Sequence, residues 1–373
     1  MRIVIAVAIA AIIYVLQNIL YRKLWDRELK ADIYFSCPYV ECGGKAKLFE
    51  VISNEKRLPL PVLHVKFSAP RSFVFADAVN ASVTDLYYRN DIFSVMGGQR
   101  ITRTLEFKTE KRGYYMIENI NLTAKNLFMT GTFAKTIHPL AGFYVFPQKY
   151  NHVKFNVLMK HIMGDIETRL HIAEDPYTFR GIREYSSQDT MSRINWKASA
   201  KTGNLMVNMY NQTSYCKVII MLNLDTNIML KADYIKELSI ELASSVAKKL
   251  IDKAMPVMLI TNGTDISGQE LDVYSAGASE SHLITIDKQL ACISGNLNVE
   301  RFVELVDAEL KKNEDNTAYI IISSYHKNNL MERLDKMKTR GMNVNMIVPY
   351  YDSFVPDVSR SYMYGWEVTL NDT

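Results

Sequence analysis

VIIMLNL, residues 218–224, is an apolar run broken only at Asn223. A strand with one wet face would alternate; an unbroken run needs burial on both faces, as in a parallel sheet covered by helices. The sequence that follows supplies the covers. Ile235, Leu238, Leu242, Val246 and Leu250 recur every three or four residues, the spacing that turns one helix face toward a core. Residues 257–261, 318–323 and 344–348 are further short apolar strands. Val299, Phe302, Val306 and Leu310 mark a helix between them, and Leu330, Leu334 and Met337 mark another, closed by Gly341. Strands alternating with helices across residues 216–373 predict a Rossmann-type α/β domain with a parallel sheet. Weaker patterns at 283–286 and 366–370 are read as additional strands.

Upstream the period changes to two. Leu63, Val65, Phe67 and Ala69 alternate with His64, Lys66 and Ser68, and Ile120, Leu122 and Ala124 alternate with Asn119, Asn121 and Thr123. Each series places one strand face in a core. Further strands are expected at 45–53, 82–95, 100–109 and 128–137, separated by turn residues such as Gly43-Gly44, Gly97-Gly98 and Arg112-Gly113. Short strands at this spacing without intervening helices predict a β-sandwich over 29–148. The expected architecture is therefore multidomain α+β: an N-terminal transmembrane helix, the sandwich, a connector over 150–215, and the α/β domain.

The anchor is read from residues 3–20, eighteen positions without a charge. That approaches the ~20 residues a helix needs to cross a bilayer. No small-x-small cleavage site follows, so the segment is read as an uncleaved single-pass anchor over 1–22. Arg22, Lys23, Arg27 and Lys30 follow it, against Arg2 before it. Positive flanks mark the cytoplasmic side, so the soluble domains are expected to face the cytoplasm from a cell (inner) membrane.

A net charge of +4 over 373 residues is too small and too dispersed to predict nucleic-acid binding. Cys37, Cys42, Cys216 and Cys292 fit neither a Cys-x-x-Cys redox pair nor a zinc site and are read as free thiols. The sequence has no Gly-x-Ser-x-Gly, no His-Glu-x-x-His and no P-loop, so neither those hydrolases nor an ATPase is predicted.

The chemically densest stretch is 177–210, YTFRGIREYSSQDTMSRINWKASAKTGNLMVNMY. Five bases surround Glu184 and Asp189, with Tyr185 and Trp196 among them. Three readings stay open. Arg180, Arg183 and Arg193 can satisfy Glu184 and Asp189 in a salt-bridged connector with Trp196 packed as a plug. Alternatively, the bases and aromatics form a protein-binding surface. In the third reading Arg180, Arg183, Arg193, Lys197 and Lys201 bind an anion or a nucleic acid.

Gly181-Ile182-Arg183-Glu184-Tyr185, then Asp189, then Arg193-Ile194-Asn195-Trp196-Lys197-Ala198-Ser199-Ala200 resembles the signature of the domain-of-unknown-function 58 family. That family's pattern has Asp where Asn195 stands and Gly where Gln188 stands. The resemblance implies a sandwich of immunoglobulin/fibronectin type, a von Willebrand A-like domain, and a MoxR-type AAA+ ATPase as partner. The implied work is that of a non-enzymatic scaffold or adaptor in assembling envelope or secreted complexes, with membrane or secreted proteins as clients. Von Willebrand A domains can hold Mg²⁺ through Asp-x-Ser-x-Ser at the end of the first strand. Here that run is Asp225-Thr226-Asn227-Ile228-Met229, and a thioether is a poor ligand for so hard an ion. The site is read as degenerate, with no metal and no cofactor expected. The alternative from another class is a metal-dependent adhesion module or hydrolase in the cleft near Asp225.

Overall fold

The computed structural model describes residues 1–77, 80–170, 179–186, 189–210, 216–226, 232–294, 299–312, 314, 316–351 and 360–368. The chain is mixed α+β and divides into two compact units, Met1–Gln148 and Lys149–Thr373.

The first unit opens with α1 (Arg2–Leu24), a helix long and apolar enough to cross a membrane. Among the described residues twelve strands follow: β1 (Leu29–Phe35), β2 (Tyr39–Glu41), β3 (Lys45–Asn54), β4 (Leu60–Pro70), β5 (Phe73–Phe75), β6 (Ala81–Val83), β7 (Leu86–Val95), β8 (Gln99–Thr109), β9 (Gly113–Ile117), β10 (Ile120–Lys125), β11 (Thr132–Ile137) and β12 (Ala141–Phe146). They form sheets ordered β1-β3-β8-β5, β11-β10-β4-β7-β6 and β2-β12-β9. The period-two reading holds in β4 and β10: Leu63, Val65, Phe67, Ala69, Ile120, Leu122 and Ala124 are all buried. They join Ile33, Leu48, Phe73, Phe107 and Phe143, contributed by all three sheets, in one core.

Two features were not legible in sequence. Tyr21 and Trp25, at the end of α1, belong to that core; the Tyr21 hydroxyl donates to the Pro59 carbonyl at 2.8 Å. The helix α1 thus ends inside the β unit rather than in a linker. Second, β7 turns Arg89 and Asp91 inward, where they are buried beside Glu50 of β3. Arg89 pairs with Asp91 at 2.5 Å, and Arg103 reaches the other Asp91 oxygen at 2.9 Å. Burial, then the negative charge of Asp91, pushes the Glu50 carboxyl up to about 8, against the opposing pull of Arg103 and Arg89.

The second unit contains α2 (Val153–Leu170), β13 (Phe179–Glu184), α3 (Trp196–Thr202), β14 (Met206–Tyr210), β15 (Lys217–Asn223), α4 (Ala232–Ile251), β16 (Val257–Thr261), β17 (Val273–Gly277), α5 (Glu280–Cys292), α6 (Val299–Lys312), β18 (Thr317–Ser323), α7 (Asn328–Thr339), β19 (Asn343–Tyr351) and β20 (Met363–Val368). Its main sheet runs β17-β16-β15-β18-β19-β20, parallel except at β17. Alternate residues of β15 enter opposite cores. Val218, Ile220 and Leu222 pack with α2, α4 and α5; Ile219 and Met221 pack with α6 and α7.

Two expectations change. Residues 283–286 are helix, within α5, because Ser279 caps the segment and Leu283, Ile286 and Leu290 fall on one buried helical face. Part of the range read as a connector is core: Phe155, Met159, Ile162 and Ile166 of α2 are buried against the sheet. The expected strand near 366–370 is present as β20, with Trp366 buried.

Glu50 generates a pH prediction. Its folded value lies above the ordinary one of about 4.5, so from about pH 4.5 to 8 the folded chain holds a proton that the unfolded chain has released. The stability from the neutral carboxyl is full below that window, falls through it, and is gone above about pH 8. Glu50→Gln stays neutral throughout. Its melting temperature is expected to match the parent at pH 4.5 and exceed it increasingly toward pH 8.5. Parallel pH profiles for the two proteins would contradict this.

Candidate functional site

The C-terminal edges of β15, β16 and β18 lie side by side, and each apolar run ends in amides or hydroxyls. Leu222 pairs with Thr261, and Asn223 with Ser323. Asn223 Nδ2 donates to Ser323 Oγ at 3.0 Å, while Asn262 Nδ2 donates to Asn223 Oδ1 at 2.8 Å. Asn262 Oδ1 accepts the Leu224 N–H, and Asn223 Oδ1 also accepts the Asp225 N–H. Ser323 Oγ accepts from the Tyr325 N–H and donates to its carbonyl. Asn223, Asn262 and Ser323 are all buried. In such a place an unpaired amide costs more than a made bond gains, so the residues satisfy one another.

This closed network bears on the metal question. Asp225 is half-buried, and its Oδ1 accepts the Thr226 N–H at 2.9 Å; Asn227 and Met229 lie outside the described residues. The neighbouring Asn223 oxygen already has two donors, and the Ser323 hydroxyl is likewise engaged. Among the described residues no group of three or more His, Cys, Asp or Glu gathers to hold a metal. One carboxylate amid occupied amides does not fit a divalent cation that wants six oxygens.

The signature residues form a separate module. β13 and β14 pair antiparallel, and α3 packs beside β14. Arg183 holds Asp189 through two nitrogens, at 2.7 and 2.5 Å, and the Ser186 N–H donates to the same carboxylate at 2.8 Å. The Arg183 bond and then the Ser186 bond keep the Asp189 carboxyl below its usual range. Glu184 accepts from Asn204 at 3.3 Å. Arg193 and Tyr185 are half-buried and Lys197 is exposed; the Arg180 backbone lies in β13, and its side chain is outside the described residues.

Asn195, where the signature that the stretch resembles has Asp, is the N-cap of α3. Its side-chain oxygen accepts the Ala198 N–H at 3.0 Å, and its Nδ2 donates to Asn208 at 2.7 Å. A carboxylate could make the cap, but toward Asn208 it could only accept, where Asn195 donates. Ser199 Oγ links back to the Met206 N–H at 2.8 Å, and Ile194 and Val207 are buried at the centre.

Trp196 corrects an expectation. It is 67% exposed, so it is not a packed plug. It starts α3, and the residues holding the module together are Ile194, Val207 and the Asn195–Ser199 bonds. Phe179, Ile182, Met191 and Leu205 are exposed as well.

No family model and no curated protein matches the chain. Among solved structures it is similar to the CARDB domain of a Pyrococcus furiosus protein in complex with di-metal ions, at 12% identity and a TM-score of 0.19, covering 30% of this chain and 90% of that one. A non-cellulosomal cohesin from Archaeoglobus fulgidus gives 10%, 0.22, 31% and 91% for the same measures. Spo0M, a sporulation control protein from Bacillus subtilis, gives 10%, 0.18, 43% and 58%. Likenesses this slight carry no argument about function.

Asn262→Ala should leave the Leu224 N–H without its acceptor and free an Asn223 lone pair. We expect a loss of about 1–3 kcal/mol in denaturant unfolding. Added Mg²⁺ should not raise the melting temperature of the parent. A Mg²⁺-dependent rise that Asp225→Ala abolishes would overturn the assessment of the strand edge.

Proposed function

We propose that this chain is a membrane-anchored, non-enzymatic scaffold or adaptor that works with a MoxR-type AAA+ ATPase. Its work is the assembly or maturation of envelope or secreted complexes. The observation that carries the reading is the exposed surface of the signature module. Phe179 and Ile182 of β13, Trp196 of α3, and Met191 and Leu205 in the adjoining segments stand exposed in the module that holds the bidentate Arg183–Asp189 pair. Aromatic residues and Arg dominate the binding energy of protein interfaces, whereas a lone connector has no need to expose them. Resemblance of residues 181–200 to the domain-of-unknown-function 58 signature supplies the ATPase as the partner class.

In this reading the first unit is a β-sandwich and the second a von Willebrand A-like domain. Support comes from the single core shared by the N-terminal sheets and from the largely parallel sheet with helices packed against both faces. The anchor is α1, and the basic residues after it favour a cytoplasmic body on the inner membrane. The competing metal-dependent adhesion or hydrolase reading draws on Asp225 alone.

The test uses the full chain in detergent, because a fragment starting at Leu29 would lack Tyr21 and Trp25 of the core. An ATPase carrying a P-loop is expected to co-purify from the source cell in EDTA. Trp196→Ala combined with Met191→Ala should abolish recovery while changing stability by less than about 0.5 kcal/mol, as exposed positions do. Recovery of no ATPase with folded protein and nucleotide present would refute the partner. Undiminished recovery by the double variant would refute the surface.

A further inference from the structure

The turn joining β10 to β11 places three large apolar side chains in the open. Leu127, Phe128 and Met129 are 53%, 50% and 59% exposed. The backbone beneath them is tied down. Asn126 is buried; its Oδ1 accepts the Thr130 N–H at 2.8 Å and its Nδ2 donates to the Thr130 hydroxyl at 3.1 Å. The Met129 N–H reaches the Asn126 carbonyl at 3.0 Å, with Met129 in the left-handed region (φ 58°), and the Asn126 N–H reaches Gly131. The turn satisfies these polar groups internally and presents hydrocarbon outward.

It also touches α1. The Phe128 ring lies 6.3 Å from that of Tyr14, and the Tyr14 hydroxyl donates to Thr130 at 3.3 Å. That contact fixes its depth if α1 spans a bilayer, the reading on which this inference rests. At 1.5 Å per residue, Arg2 to Tyr21 spans about 28 Å, roughly the ~30 Å of a hydrocarbon core. Tyr21 is already buried in the β unit, so the helix has no spare length with which to hold that unit away from the membrane. With Arg2 at one interface, the other falls near Tyr21, and Tyr14 sits about 10 Å inside it. Tilt would shorten the projected span and carry Tyr14 deeper.

We propose that Leu127, Phe128 and Met129 insert into the acyl region of the bilayer beside α1, as a second membrane contact of the first unit. The Asn126 side chain and the Asn126, Met129 and Thr130 N–H groups find their partners within the turn, which lowers the cost of such a position, because lipid offers no replacement partners. Exposed Arg22 and Lys23, just past the interface, are placed to meet lipid phosphates. The arrangement is independent of which side of the membrane the body occupies.

The test places a new tryptophan at the tip. The full chain carrying Phe128→Trp is reconstituted in phosphatidylcholine vesicles with brominated acyl chains, and compared with Val83→Trp and the parent. Val83 is exposed and pairs with Tyr87, level with Ala69, at the far end of the same sheet. That is about 24 Å along the strands from Val62, the partner of Lys125. The emission added by Phe128→Trp should be quenched by bromine, and that added by Val83→Trp should not. Equal quenching at both sites, or none at Phe128, overturns the inference. Blue-shifted but unquenched emission at Phe128 would mean that protein, such as a second copy, covers the turn, and also overturns it. Flotation separates the two layers of argument. If the parent does not float with the vesicles, the anchor reading fails; if it floats while Phe128→Trp is not quenched, only the inserted turn fails.

Discussion

Burial of β15 on both faces constrains the second unit more than any other feature. Its side chains alternate between two cores, one built with α2, α4 and α5 and the other with α6 and α7. Asn223, Asn262 and Ser323, which close β15, β16 and β18, are buried as well. The amides and hydroxyls that terminate the three runs must therefore find one another. Asn223, Asn262 and Ser323 do so with few lone pairs left over. Those three side chains are engaged with one another, while the proposed role draws on the exposed surface of the module over 179–210.

Most of this organisation was legible because its periods are clean. The two-residue alternation of β4 and β10 and the three-to-four spacing in α4, α6 and α7 each reflect one buried face. What escaped did so for physical reasons. In β7 the inward phase is Tyr87, Arg89, Asp91, Phe93 and Val95, so charge sits where the pattern leads one to expect hydrocarbon. The helix α5 was misread because a four-residue window cannot separate the two periods, although Ser279 and Leu290 carried the missing signal. The strand-edge network was signalled by the Asn or Ser closing each apolar run, but adjacency of those ends is a property of strand order and not of any segment.

The signature was legible as important and illegible in detail. The Arg183–Asp189 pair follows from opposite charges six positions apart, yet nothing in composition says that Arg183, rather than Arg180 or Arg193, takes that carboxylate. The amide at position 195 stands where the signature that the stretch resembles has Asp. It makes two bonds at once, a helix cap and a link to Asn208. Exposure of Trp196 could not be read from its residue type, since a large aromatic in a charged stretch fits a seam as readily as a surface.

The docking of α1 into the β unit has a mechanical consequence. Tyr21 and Trp25 are packed among the strands, Trp25 stacks 6.1 Å from Phe133, and Lys135 pairs with Asp26 at 3.1 Å. A membrane protein with a loose tether lets its body swivel and sample all orientations above the lipid. Here the last turns of the helix act as an axle welded to its hub. With α1 spanning a bilayer as proposed, its tilt would set the attitude of the first unit, and torque or traction on that unit would pass directly to the helix.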